Sequence, residues 1–343
     1  MSGYFRTRYA EDSALLDTRT QKFWFVVLVL GLLPYPFVAN ALWLDLANQV
    51  LLASIGAIAL MLLTGYAGQI SLGHAGLLAA GAFTTGILFK ELSAPFWVTL
   101  PASAATGAAL GLLFGLPSLR LRGLYLAVST LALHFIVIFA GGEYETKRGY
   151  STGIVIDSPI NDARAWYFVL LAASAATLLF GLNLLRARTG RAWRAIHGRE
   201  AVAEALGISV HRAKLSAFVI SSTITALAGC LFAYYRGFVS AEAFSLYLTI
   251  QYVAIIIIGG MGSLLGAVLG TVFVVLFPYA IDFAMAALRL SDRLSSVVFA
   301  VNYAAFGVVM IAFLVFEPQG LVGLWRRARD WLLLWPFRQR PLR

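Results

Sequence analysis

Residues 48–76 read NQVLLASIGAIALMLLTGYAGQISLGHAG, an apolar run that gives way, without any charge, to a glycine-rich polar segment. The run from 48 to 64 has the length and apolarity of a membrane-crossing helix. From Thr64 to Gly76, four Gly fall in thirteen residues, with Gln69, Ser71 and His74 among them. Gly disfavours a helix by about 1 kcal/mol relative to Ala in water, and broken backbone inside a bilayer persists only where protein or a water-filled cavity supplies partners. The segment is therefore expected to face inward, with Gly68, Gln69, Ser71, Gly73 and His74 on a translocation pathway. Close packing explains glycines but not the polar side chains; a buried Gln or His that bonds a neighbouring helix is the plainer alternative.

The rest of the chain has the same character. Of 343 residues, 60% are apolar, 13% aromatic and 12% charged, with a mean hydropathy of +0.83. A soluble domain carries about 25% charge, so lipid is the solvent here. Apolar runs fall near 23–42, 48–64, 72–89, 96–116, 123–141, 166–185, 215–235, 246–260, 263–285 and 297–316, which predicts an all-α integral membrane protein of about ten spans. One span more or fewer stays open if a segment is re-entrant. No room remains for a soluble catalytic domain. The chain has no phosphate-binding Gly-x-x-x-x-Gly-Lys, no His-Glu-x-x-His, no Gly-x-Ser-x-Gly and a single cysteine, Cys230, so no cofactor or metal is expected on it. The polar residues 1–22 read as an uncleaved N-terminus.

Charge sets orientation. The net +10 is no nucleic-acid footprint, because it is concentrated in three places. Segment 186–214 holds Arg186, Arg188, Arg191, Arg194, Arg199, Arg212 and Lys214 against Glu200 and Glu204. The tail adds Arg326, Arg327, Arg329, Arg338, Arg340 and Arg343, and the N-terminus Arg6, Arg8, Arg19 and Lys22. Cytoplasmic segments retain positive charge, so all three are placed inside. Arg120 and Arg122 then also fall inside, and the acidic stretch 142–165 outside. The division expected is a cytoplasmic N-terminus at 1–22, a transmembrane region at 23–317 containing the cytoplasmic loop 186–214, and a basic tail at 318–343 suited also to anionic lipid headgroups.

A second glycine cluster, Gly259-Gly260-Met261-Gly262-Ser263, interrupts the apolar run from 246 to 285. Paired interruptions in two halves of a transporter point to an inverted repeat with the path between repeats, so Gly259, Gly260, Gly262 and Ser263 join the candidate pathway. Gly262/Gly266/Gly270 and Gly107/Gly111/Gly115 also have helix-packing spacing, the favoured reading for those triplets. Ser129, Thr130, His134, Gln251 and Asn302 read as interhelical glue. Acids map to loops or span ends, with Asp45 and Asp282 the nearest exceptions, which argues against coupling to protons or sodium.

Within the basic loop, Glu200 to Leu206 are strong helix formers and Gly207 stands where a helix stops. Arg199, Glu200, Ala201, Val202, Ala203, Glu204, Leu206 and Gly207 thus form a short capped helix outside the membrane. Val202 and Leu206 share one face, a small apolar ridge that fits a groove on a partner, or else lies on lipid headgroups.

The segment Gly65 to Gly76, the loop from Gly190-Arg191-Ala192-Trp193-Arg194-Ala195-Ile196 to Gly207, and Ile258-Gly259-Gly260-Met261-Gly262-Ser263 together resemble the LivM-type permeases of branched-chain amino-acid ABC importers. The resemblance runs over roughly 45–320. It implies a bacterial inner-membrane permease that pairs with a LivH-type permease, two ABC ATPases carrying ATP and Mg, and a periplasmic substrate-binding protein. It also implies that Arg199 to Gly207 is the ATPase-coupling loop. The chain departs from the motif at Ala75, where the family often has Gly, and at Leu77 and Leu78, where it has aromatic residues. Urea, amides and small carboxylates are also carried within the family, and a stand-alone secondary transporter or channel is the alternative from another class.

Overall fold

A computed structural model describes residues 19–119, 121, 123–150, 153–287, 298–317 and 319–334. The chain opens with two short helices, α1 (Arg19–Leu32) and α2 (Tyr35–Val38), and a long one, α3 (Ala41–Leu60), that runs on into a π-helical turn, Met61–Tyr66. Then come α4 (His74–Leu92), α5 (Phe96–Ser118), α6 (Leu124–Arg148) and α7 (Ala163–Arg186). The basic loop holds α8 (Arg188–Gly198) and α9 (Glu200–Ala205). Beyond it lie α10 (Val210–Arg236), α11 (Leu246–Gly259), α12 (Leu264–Ala287), α13 (Val298–Phe316) and α14 (Gly320–Leu334).

Among the described residues eight helices are long and apolar enough to cross a membrane, or nine if the pair Tyr303–Phe316 and Gly320–Ala328, bent by 53°, counts as one. The expected ten is not confirmed, and two of the expected spans are irregular. The expected span 23–42 is divided between α1 and α2 at Pro34, which cannot donate to a helix ladder, and its apolar helical run, Val26–Val38, ends where Ala39 turns extended. At the other end the chain turns sharply into α14. The expected basic side chains at 1–22, at Arg120 and Arg122, and at Arg329, Arg338, Arg340 and Arg343 lie outside the described residues, as does the Asn302 side chain.

The core is organised around α10, which packs on α3, α4 and α5. Its contact with α4 is backbone to backbone: a Cβ on Gly81 would overlap the Ala226 carbonyl, and one on Gly229 the Leu78 carbonyl. Gly107 and Gly111 bring α5 against Ser222 and Val219 of α10 in the same way, the packing role read from their spacing. Hydroxyls join the helices where such approach leaves polar groups dry. Ser221 Oγ donates to the Ala59 carbonyl (2.8 Å), and Thr99 Oγ1 and Tyr234 Oη lie 2.8 Å apart.

At the end of the bundle away from the basic loop, residues 154–155 pair antiparallel with 238–239, Ile154 opposite Val239. The cations at this end are partly neutralised, Lys147 by Glu143 (3.1 Å) and Arg148 by Glu91 (2.7 Å).

Candidate functional site

Two sites lie at opposite ends of α10, whose 27 residues span about 40 Å. At the basic end the segment 67–73 leaves the π-helical turn and meets α4. Its backbone is satisfied by side chains from elsewhere. Thr64 Oγ1 donates to the Gln69 carbonyl (3.0 Å), the Leu72 N–H donates to Thr130 Oγ1 (2.9 Å), and the Ala75 N–H to Thr249 Oγ1 (3.1 Å). That is how irregular chain survives next to lipid-facing helices. Gln69, Ser71 and His74 are buried, and Gln69 Nε2 donates to the Lys214 carbonyl (3.0 Å). Gly68 packs on the His197 ring of the basic loop, and Gly73 leaves no room for a Cβ against the Thr130 carbonyl.

The second cluster lies at the same end. A Cβ on Gly65 would stand 3.0 Å from the Gly262 nitrogen. Both clusters fall between helices, at the bounds of the expected runs: 67–73 joins α3 to α4 and 260–263 joins α11 to α12. The reason is conformational, because Gly260 and Gly262 sit at φ +109° and +82°, which reverses the chain instead of kinking it. Ser263 Oγ accepts from the Gly266 N–H (3.2 Å), capping α12. Gly266 and Gly270 pack on the α11 backbone, whereas Gly262 belongs to the turn. Gly320, at the start of α14, fits against Gly260.

The basic loop is fastened to this end. Trp193 is fully buried and its Nε1 donates to Ser216 Oγ (3.1 Å). Arg191 Nη1 donates to the Arg186 carbonyl (2.7 Å) and Arg194 to that of Leu185, so two of the arginines cap the end of α7. Lys214 Nζ meets Glu200 Oε1 at 2.6 Å, both largely shielded. The capped helix forms as α9, with Gly207 at φ +81° and the Ile208 N–H donating back to the Ala203 carbonyl (3.0 Å). Ala203 faces inward, while Ala201, Glu204, Val202 (51% exposed) and Leu206 (74%) face out. A small polar crevice of about 200 Å³ separates Gly68 and Gln69 from His197, Arg199 and Glu200, with Leu121 and Gly123 beside them.

At the far end a cavity of about 600 Å³ opens between α3, α10, α11 and α12. Phe232, Leu248, Ile255 and Val274 give it apolar walls, and Gln49, Gln251, Tyr252, Tyr279, Arg236 and Asp282 supply its polar groups. From Asp282 to Val274 on α12, and from Arg236 to Ala228 on α10, it runs about 12 Å inward. Tyr252 ends it. That ring lies 4.6 Å from the His74 ring, and Gly56 gives it room, since a Cβ there would come within 2.9 Å. Gln49 Nε2 also donates to Asp45 Oδ2 (2.7 Å), and the other oxygen, Asp45 Oδ1, accepts from the Tyr235 hydroxyl.

Of the expected pathway residues, only His74 approaches the cavity, through Tyr252. Gly68 and Gln69 lie against the loop, Gly73 packs on α6, and Gly259, Gly260, Gly262 and Ser263 form the turn between α11 and α12. Arg236, Tyr252 and Tyr279 were not anticipated. Among the described residues no group of three His, Cys, Asp or Glu is placed to hold a metal ion.

Residues 42–315 match the family described as the permease component of branched-chain amino acid transport systems. The chain is 30% identical to the high-affinity branched-chain amino acid transport system permease protein LivM of Escherichia coli, over 90% of this chain and 77% of that protein. It is 28% identical to the L-arabinose transport system permease protein AraH of Escherichia coli (73% of this chain, 74% of that one). A probable branched-chain amino acid transport permease protein LivH of Methanocaldococcus jannaschii is 24% identical (73% and 82%). No solved structure matches. The glycine linkers, the fastened basic loop and the helical membrane bundle are thus those of a member of the branched-chain amino acid transport permease family.

Proposed function

We propose that the chain is one of two permease subunits of an ATP-driven importer, moving branched-chain amino acids or related small polar solutes into a bacterial cytoplasm. A LivH-type permease pairs with it, two ABC ATPases carry the ATP and Mg, and a periplasmic binding protein delivers the solute. The basic end faces the cytoplasm, with both termini, α1 and α2 together making the first crossing, and the 600 Å³ cavity faces the periplasm. Residues 1–22 and 318–343 flank the transmembrane region on the cytoplasmic side.

One observation carries this reading. The helix α9 presents Val202 and Leu206 outward while its other face is bound to the spans through Ala203 and the Glu200–Lys214 pair. Such a ridge receives force from a grooved partner and passes it inward. Lys214 holds Gln69 through its carbonyl, and the segment beyond Gln69 ends at His74, against Tyr252. Rocking of two halves of this chain would break the backbone contacts at Gly81 and Gly229, so the chain moves as one body against its partner permease. The glycine linkers adjust at the cytoplasmic end.

The test is Val202→Asp with Leu206→Asp in reconstituted vesicles. Both side chains are exposed, so the fold is expected to change by no more than about 0.5 kcal/mol. Solute-stimulated ATP hydrolysis and uptake are expected to fall at least tenfold. Unchanged uptake would remove α9 as the docking element, and gradient-driven flux by the purified chain alone would replace the importer with a secondary transporter.

A further inference from the structure

The crevice of about 200 Å³ between the basic loop and the spans has charges that do not cancel. Lys214 and Glu200, both on its wall, neutralise each other at 2.6 Å. Arg199 shares the wall, is exposed, and is paired with no carboxylate among the described residues. Its guanidinium is therefore the surplus charge of the crevice, a planar fork suited to an oxyanion. His197 adds a ring N–H, its ring seated on Gly68, where a Cβ would come within 3.0 Å of Nδ1. Gly123, also on the wall, is the N-cap of α6, and no side chain caps that helix. Its first-turn N–H groups thus add donors and a positive dipole end to the same side of the balance.

The surroundings choose among anions. Leu121 and Leu126 line the crevice beside these donors. Next to them, Leu124, Tyr125 and Val128 are exposed on the outer side of α6, one of the helices long and apolar enough to cross a membrane. An amphiphile with an anionic head uses both surfaces, whereas a small soluble anion leaves the apolar one idle. Basic pockets between membrane helices on the cytoplasmic side are also where phospholipid head groups bind. We infer that the crevice holds the phosphate of an anionic phospholipid at Arg199 and His197, with an acyl chain lying along the outer side of α6. The phosphate then ties the loop to the start of α6, a second fastening besides Trp193. This goes beyond the importer reading and does not depend on it.

The probe is phosphatidylglycerol carrying a diazirine on an acyl chain close to the glycerol. It is irradiated in nanodiscs otherwise made of phosphatidylcholine, with the full chain and its copurifying subunits, and mass spectrometry maps the adducts. Labelling is expected on fragments carrying Leu121, Gly123 or Leu126, suppressed by excess phosphatidylglycerol but not by inorganic phosphate. Arg199→Gln is expected to lower it about tenfold, and Arg199→Lys, which keeps the charge but not the fork, about threefold. Arg188→Gln removes an exposed cation of the same loop that does not line the crevice, and is expected to leave labelling unchanged. All three substitutions are at exposed side chains, so the fold is retained. Phosphatidylcholine with the same diazirine is expected to label these fragments several-fold less. Equal labelling by phosphatidylcholine would leave a chain contact without recognition of the head group, and an equal loss in Arg188→Gln would leave only diffuse surface charge. Suppression by inorganic phosphate would make the ligand a free anion. Each of these, or adducts confined to other parts of the chain, would overturn the assignment.

Discussion

Replacing Trp193 by Ala is expected to loosen the basic loop without touching the spans. The indole is fully buried between the loop and α10, outside the apolar helices, so the reference solvent for its release is water. Loss of a buried Trp side chain costs about 3–5 kcal/mol, of which its hydrogen bond to Ser216 accounts for about 0.5–1.5 kcal/mol. Ser216 is not orphaned, because its Oγ still donates to the Ala213 carbonyl (2.8 Å). Taking about 3 kcal/mol, at about 1.4 kcal/mol per factor of ten, local opening of α8 rises on the order of 100-fold. Limited trypsin digestion reads this directly, since Arg191, Arg194 and Arg199 are exposed but lie in or beside helices that must open to enter a protease. With opening in rapid equilibrium, the cleavage rate follows the open population. Trp193→Ala is therefore expected to be cut at these arginines at least tenfold faster than the native chain, and Trp193→Phe, which keeps most of the ring volume, several-fold faster. Equal cleavage of the native chain and Trp193→Ala would refute the claim that this side chain fastens the loop.

Gly229→Val is expected to prevent α4 from seating on α10, because its side chain would occupy the place of the Leu78 carbonyl. The thermal unfolding temperature in detergent should fall by about 10 °C or more, whereas Gly31→Ala, with open space around it, should leave it unchanged. The Glu200–Lys214 pair predicts a rescue: Glu200→Lys and Lys214→Glu are each expected to lower ATP-driven uptake about tenfold, and the double exchange to recover at least half of it. No recovery would reduce the pair to an incidental surface contact.

The helical membrane bundle was legible because apolar length and the absence of charge act locally, and Gly207 ended its helix for a reason carried by one residue. The count of about ten is met by eight or nine helices among the described residues, because Pro34 and Pro36 divide the first apolar run and the last one bends before Gly320. The glycine clusters were recognised as unusual and placed between apolar runs, but a run of Gly in sequence does not show how the chain reverses there. Only the φ angles of Gly260 and Gly262 and the contact of Gly65 with Gly262 do so. The cavity was not legible at all. Its walls come from helices separated by up to two hundred residues or so, and no periodicity links Gln49, Arg236 and Asp282. The Gln69–Lys214 bond, 145 residues apart in the chain, is hidden for the same reason.

The backbone contact between Gly81 and Ala226 also bears on how the protein is made. At about 5–20 residues per second, α10 leaves the ribosome about 7–30 s after α4. Until then the carbonyl of Leu78 and the glycine face of α5 have nothing to close upon. The early helices must wait in the bilayer with a slot the width of a glycine-lined helix held open, exposed to lipid and to other nascent chains. Biogenesis, not the finished fold, is therefore where this chain is most exposed to premature collapse, and a chaperone or partner that occupies the slot would act during those seconds.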